Sequence, residues 1–277
     1  MTPSRTICPS LDQLPARRRR TRRGGPAIER ESVRLELVTP VLGGAAVPRT
    51  IDEVDVVRVP SIRGQLRFWW RALHAHGFDD SKALWQEESE LFGRAADEGG
   101  GRSPVEVRVS VEKPGDVDRK DIRLYPKAGK PATPGAYALF PARAETGTGA
   151  ETAPRRRPGT CFTLELRGPD ERLEELRNVV RAWILFGGYG SRTRRGLGSL
   201  GVHSDDRGQW LPQAATREAL AALFGRDVFA PASRAATETP RLAGATLLVG
   251  DPVKEPEAAW TAALGWLRDF RQGTNTG

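Results

Sequence analysis

Apolar and polar residues first settle into a regular pattern over 33–39, VRLELVT, where a period of two ending at Pro40 predicts a half-buried strand. An irregular, exposed loop follows to Pro60. It holds Gly43, Gly44 and the acidic residues Asp52, Glu53 and Asp55. Ile62, Leu66, Trp69, Trp70 and Leu73 then recur at steps of three and four, which predicts an amphipathic helix over 61–76 with Ser61 as its N-cap. On another face of that helix Arg63, Arg67 and Arg71 repeat every four residues as one basic ridge. A second helix carries Leu84, Trp85, Leu91 and Phe92 and stops at Gly93. Tryptophans at helical spacing read as core rather than as platforms for stacked bases.

Runs at 105–111, 122–125 and 137–140 predict short strands, and 142–158, with Arg155-Arg156-Arg157, reads as mobile. Residues 161–167 alternate as a strand, a helix spans about 170–186, and a strand resumes over 197–203. Strand, helix, strands, helix, strand is an α+β order that matches the ferredoxin-like arrangement, of which the RNA-recognition motif is one version. The chain therefore divides into a disordered arm over 1–30, a ferredoxin-like domain over 31–205, and the start of a second, incomplete ferredoxin-like domain over 206–277. That last segment is expected to hold helices near 216–224 and 258–271 and a strand at 245–250.

Charge sharpens this picture. The 277 residues carry a net charge of +8 and a pI near 10.0, which favours polyanionic partners without specifying a fold. The arm contributes seven arginines and one aspartate in its first 24 residues, and so reads either as a solubilising tail or as a segment that folds against phosphates. Cys8 and Cys161 are too few for a disulfide scaffold or a four-ligand zinc site, so the expected compartment is a reducing cytoplasm. No apolar run approaches membrane-spanning length, and no membrane role is expected.

The densest chemistry lies at 187–198, GGYGSRTRRGLG, with five glycines, three arginines and no acid. Glycines let backbone N–H groups approach a phosphate while Arg192, Arg194 and Arg195 supply charge, and Tyr189 is placed to stack on a base or ribose. A Walker A loop needs Gly-Lys-Ser/Thr, which is absent. Thr193 stands where a dinucleotide fingerprint would carry its third glycine. Both of those loops also run from strand to helix, whereas this one runs from helix to strand. A solvated, glycine-capped turn is the plain alternative.

Three separated stretches together resemble the RAMP superfamily: this loop, the strand at 35–39 with its continuation Thr39-Pro40-Val41-Leu42-Gly43-Gly44, and VPSIRGQLRFWWR over 59–71. Within it they are similar to the first subunit of the Cmr complex, the type III-B CRISPR effector. The resemblance covers about 33–200 and recurs at Phe270-Arg271-Gln272-Gly273. It implies ferredoxin-like domains that assemble with other RAMP subunits around a CRISPR RNA and its target RNA in antiviral defence. The first subunit would cap the filament near the 3′ region of the guide and bind without cutting. Carried onto this chain, the RNA-binding residues are Gly43, Gly44, Ser61, Arg63, Gly64 and Arg67, with Gly187, Gly188, Tyr189, Gly190, Arg192, Arg194, Arg195 and Gly196 in the loop. A phosphate at the helix start would meet unpaired N–H groups.

The competing reading is a CRISPR-associated endoribonuclease acting on guide precursor or target, and a third is an RNA-binding protein with no fixed assembly. Histidine-based cleavage would need a paired base and acid. His74 and His76 sit two apart on a helix, so they diverge, and His203 is distant in sequence. Asp52, Glu53 and Asp55 read as a solvated acidic loop. No catalytic residue, metal or cofactor is therefore expected.

Overall fold

The computed structural model describes residues 27–95, 100–145, 147, 149–203, 205, 207–231 and 239–273. Its elements follow in the order β1 (Ile28–Leu37), β2 (Val41–Leu42), α1 (Val59–His74), α2 (Ser81–Phe92), β3 (Glu106–Lys113), β4 (Val117–Asp118), α3 (Ala136–Leu139), β5 (Arg155–Arg156), β6 (Thr160–Pro169), α4 (Leu173–Phe186), β7 (Leu200–Val202), α5 (Arg207–Trp210), α6 (Arg217–Phe224) and α7 (Pro256–Arg271). Most of the expected arm lies outside the described residues. Its last part does not belong to an arm, because β1 begins at Ile28 and pairs with β6 from there.

The larger sheet has the order β3-β6-β1-β7, and each neighbouring pair is antiparallel. The fold is thus α+β, with α1 and α2 between β1 and β3 in the chain and α4 between β6 and β7. Strand alternation decides which face is buried. Val33, Leu35 and Leu37 of β1 lie beside Leu164, Phe162 and Thr160 of β6, and all six are at most 2% exposed. Ile62, Leu66 and Trp70 of α1 and Leu176, Val180 and Trp183 of α4 complete this core. Each fully buried side chain of this size contributes about 1.5–3 kcal/mol. The other face carries ion pairs, Arg34 with Glu112 and Arg167 with Glu165. Phe162, the one aromatic residue in these four strands, points inward, so the open face has no stacking platform of the RNA-recognition type.

A second, three-stranded sheet has the order β2-β5-β4. It corrects the expectation that 142–158 is mobile: Arg155 and Arg156 form β5 and are 4% and 6% exposed. They tolerate burial because their donors are satisfied. Arg155 donates to the Lys120 carbonyl at 3.0 Å and to Asp118 at 2.8 Å, and Arg156 donates to the Asp52 carbonyl at 2.7 Å. The strands expected at 122–125 and 137–140 are also corrected. The first has no regular structure, and the second is the helical turn α3, entered through Gly135 at φ +65°. Four-residue apolar runs carry too little period to separate these states.

Leu42, Ala138, Leu139, Leu197, Trp260 and Leu264 form a second, smaller core. From 207 onward the chain packs on what precedes it. Trp210, Leu220, Phe224 and Phe229 join the main core, and Trp260 and Leu264 join the smaller one. The helices expected there are present, but 245–250 forms no strand. Leu248 and Val249 are exposed, and among the described residues no strand pairs with them.

His74 gives this core a pH dependence. Its ring stacks on Trp70 with centroids 5.0 Å apart, and burial, reinforced by Arg226, lowers its pKa from 6.5 to about 4. The unfolded chain then binds a proton that the folded chain refuses between those values, so stability falls as pH drops from about 6.5 toward 4. Urea titrations of wild type and His74→Gln at pH 7 and pH 5 will show the wild type losing about 1–2 kcal/mol more than the variant.

Candidate nucleic-acid interface

Helix α4 ends where Gly187 can no longer carry a side chain: a Cβ there would lie 2.6 Å from both the Trp183 carbonyl and Trp69 Nε1. The chain then folds back on itself. Tyr189 N–H donates to the Gly198 carbonyl at 2.8 Å, and Trp183 Nε1 donates to the Gly188 carbonyl at 2.9 Å. Gly198 sits at φ +65°, and a Cβ on it would be 1.8 Å from the Tyr189 carbonyl oxygen. No other residue fits that crossing.

The loop is fastened to the segment after β1. Ser191 N–H donates to the Leu42 carbonyl at 2.9 Å, and Gly198 N–H donates to the Pro40 carbonyl at 2.9 Å. Thr39, 2% exposed, donates its hydroxyl to the Gly196 carbonyl at 2.6 Å and accepts from Ser199 N–H at 2.8 Å. Gly190, at φ +92°, leaves only 2.8 Å between an added Cβ and Val41 Cγ1. Gly43 faces Ser191 across this contact, and the Gly44 carbonyl accepts from Arg58 at 3.4 Å. On the far side Trp260 of α7 donates Nε1 to the Arg195 carbonyl at 2.7 Å. The roles of Thr39 and Trp260 were not legible in the sequence, because each acts on a partner more than 60 residues away.

Tyr189 joins the loop to the start of α1, and this corrects its expected stacking role. The side chain is 3% exposed, and its hydroxyl accepts from Arg58 N–H at 2.8 Å and bonds the Ser61 side chain. Burial raises the hydroxyl's pKa, so it stays protonated. Ser61 is not the N-cap either. Arg58 holds that position, because Pro60, which lacks an N–H, fits the first turn and the helix starts at Val59.

The ridge on α1 faces α2 rather than solvent. Arg63 donates to the Phe92 carbonyl at 2.8 Å and to the Val105 carbonyl at 3.2 Å. Arg67 meets Glu88 at 2.5 Å and Arg71 meets it at 3.5 Å; that carboxylate is 1% exposed and needs both. The exposed stripe of α1 is Pro60, Ser61, Gly64 and Phe68. A Cβ on Gly64 would meet nothing within 4 Å.

The three loop arginines differ from the many that pair with carboxylates. Carboxylate partners neutralise Arg30, Arg49, Arg155, Arg172, Arg181 and Arg217. Among the described residues, Arg192, Arg194 and Arg195 have no carboxylate within 4 Å. Arg194 is exposed, Arg192 is held at φ +60°, and Arg195 keeps a buried Nε without a hydrogen-bond partner among the described residues. Burial lowers the Arg192 pKa, and the adjacent Arg195 charge lowers it further. Loop and helix start thus form one rigid backbone assembly with uncompensated positive charge at its edge.

The acidic loop residues and His203 are engaged elsewhere. Asp52 accepts from Val54 N–H at 3.0 Å and Asp55 N–H at 2.8 Å, Glu53 pairs with Arg119, and Asp55 pairs with Arg58. His203 pairs with Glu36. No helix among the described residues is long and apolar enough to cross a membrane.

Comparison with known proteins adds three observations. The family model described as the RAMP superfamily matches residues 34–201. The CRISPR system Cmr subunit Cmr1-1 of Pyrococcus furiosus is 30% identical over 154 residues, covering 54% of this chain and 41% of its own; Cmr1-2 of the same organism is 29% identical over 186 residues, covering 61% and 92%. The chain thus spans well under half the length of the first of these. The crystal structure of Cmr1 from Pyrococcus furiosus aligns at TM-score 0.47 with 27% identity, covering 64% of this chain and 50% of that one, and a chain of a type III-B Cmr-beta structure with cognate target RNA aligns at TM-score 0.44 with 14% identity, covering 70% and 62%.

Thr39→Val keeps the shape of the side chain and removes both hydrogen bonds. Leaving the Gly196 carbonyl and Ser199 N–H unpaired in a buried site will cost about 2–4 kcal/mol in urea unfolding, and amide exchange at Ser199 will accelerate.

Proposed function

This chain belongs to the RAMP superfamily, and from that premise we propose that it is a non-catalytic RNA-binding subunit of a type III-B CRISPR effector, working inside the cell with other RAMP subunits on a CRISPR RNA and its target. In this reading it caps the filament near the 3′ region of the guide. The curated relatives carry the name of Cmr subunits, which supports the choice of complex. The sheet order β3-β6-β1-β7, with its two interleaved strand–helix–strand units, supports reading the region to about 205 as a ferredoxin-like domain. The helices α5, α6 and α7 are read as the opening of a second one, docked on the first.

One observation carries the RNA-binding role: three arginines without carboxylate partners among the described residues, on a loop fastened by backbone hydrogen bonds at Tyr189, Ser191 and Gly198. A non-glycine residue at positive φ is strained, and Arg192 keeps that conformation where a glycine would be easier. The strain is understandable if the guanidinium must point at a ligand. Rigid loop, unpaired cations and the free first-turn N–H groups of α1 suit a sugar–phosphate backbone. Gly64, a helical glycine with open space above it, would let that backbone approach α1 closely. Gly43 and Gly44 line the same edge. Arg63 and Arg67 enter the grip indirectly, by setting the position of α1.

Replacing Arg192, Arg194 and Arg195 with alanine will weaken binding to single-stranded RNA and reduce the slope of log K against log salt by about two, three phosphate contacts at roughly 0.7 each. An unchanged slope removes the loop from the interface. Gly64→Ala will stabilise the fold by about 0.5–1 kcal/mol while weakening RNA binding. Incubated with magnesium and guide or target RNA, the wild type and the Asp52→Ala/Asp55→Ala variant will both leave the RNA intact. Cleavage by the wild type that the variant loses would establish an endoribonuclease instead.

A further inference from the structure

Beyond the glycine-rich loop, the region between β4 and β5 presents a second basic and aromatic surface, built on α3 and the turns around it. A cleft of about 410 Å³ opens there between 121–127 and residues 143, 144 and 152, lined by Arg123, Tyr125, Lys127 and Arg143 among others. Tyr125 is 78% exposed, and Phe140, which touches the lining residue Arg143, is 45% exposed. Single exposed aromatics are ordinary. These two stand among cations without carboxylate partners. The Arg143 guanidinium lies 3.9 Å from the centroid of the Phe140 ring, and neither it nor Lys127 pairs with an acid among the described residues. Asp121, the carboxylate lining the cleft, accepts from the Thr152 hydroxyl at 2.9 Å.

The surface is held in shape. Arg49, itself at φ +63°, reaches across to donate to the Pro141 carbonyl at 2.7 Å, the Arg143 carbonyl at 2.9 Å and the Glu151 carbonyl at 2.7 Å. Thr133 receives Arg123 N–H on its hydroxyl at 2.9 Å and returns its own N–H to the Arg123 carbonyl at 2.8 Å. It is also continuous with the loop. The Arg195 guanidinium lies 5.6 Å from the Tyr137 ring, and Tyr137 precedes Phe140 by one helical turn. Two rings, Tyr137 and Phe140, thus lie between the Arg195 cation of the loop and the Arg143 cation of the cleft.

We propose that this cleft is a second contact for single-stranded RNA, in which unpaired bases stack on Tyr125 and Phe140 while Arg143, Lys127 and Arg123 meet the phosphates of the strand leaving the glycine-rich loop. The inference rests on the RNA-binding reading above and extends it. Bases in a duplex are already stacked and cannot reach a ring, whereas a single strand offers a free π-face at every nucleotide. The site therefore selects single-stranded over double-stranded RNA with little preference for sequence.

The test measures binding of the full chain to a fluorescent 14-nucleotide single-stranded RNA and to a duplex of the same length across a salt series. Tyr125→Ala/Phe140→Ala is expected to bind the single strand about 10-fold more weakly with an unchanged salt slope, and the duplex as the wild type does. Tyr125→Phe/Phe140→Tyr keeps both rings and will restore binding, which separates stacking from damage to the fold. Arg143→Gln/Lys127→Gln will lower the slope by about one. Alanine at Arg192, Arg194 and Arg195 tests the underlying reading separately. If that variant loses affinity while the cleft variants bind as the wild type does, the cleft proposal is overturned and the loop reading stands. Equal losses on single strand and duplex overturn stacking, and a wild-type chain that retains neither RNA overturns both.

Discussion

Everything at the candidate interface depends on one crossing of backbones, where the 187–198 loop lies on the segment leaving β1. Thr39 bonds the returning limb of the loop twice, at the Gly196 carbonyl and Ser199 N–H, and Gly198 passes the Tyr189 carbonyl at a distance that admits no side chain. Because β1 is central in the larger sheet and α4 packs against α1, this contact ties the sheet, both long helices and the loop into one unit. Tyr189 extends the tie to the first turn of α1. Such an assembly needs no reorganisation to present its N–H groups and charges, which lowers the entropic cost of holding a flexible strand.

A chain this rich in arginine must prevent its cations from acting indiscriminately, and it does so by sorting them. Arg155 and Arg156 bind the small sheet from within, and Arg67 and Arg71 share the buried Glu88. Arg34, Arg167, Arg172 and Arg181 pair with carboxylates at the surface or partly beneath it. What is left uncompensated on the loop lies next to Tyr137 and the cleft beyond it. Net charge therefore describes the molecule poorly. The functional quantity is the charge that remains after internal pairing, because only that part can exchange counterions for phosphates.

Long elements were legible in the sequence because their periods were sampled several times over. The apolar residues of α1, α4, α6 and α7, and the alternation in β1 and β6, each repeat often enough to leave one face unambiguous. Short runs were not. The pattern at 137–140 suits a strand and a helical turn equally, and Gly135 together with the packing of Trp260 decides for the turn. Residues 155–157 look solvated by composition, yet the carbonyls that bury Arg155 and Arg156 come from the distant 52, 114–115 and 120 positions.

The candidate site divides along the same line. By itself the sequence determined the glycine-rich loop, its direction from helix to strand and its concentration of arginine, since these are local properties of neighbouring residues. Only the tertiary structure decided which side chains remain available. It turned Arg63 and Arg67 toward α2, buried the Tyr189 ring and made its hydroxyl a tether, and left Arg192, Arg194 and Arg195 without acidic partners among the described residues. Spacing along a helix tells which residues share a face. Whether that face meets solvent or a buried carboxylate depends on elements remote in sequence, and those are brought there only by the fold.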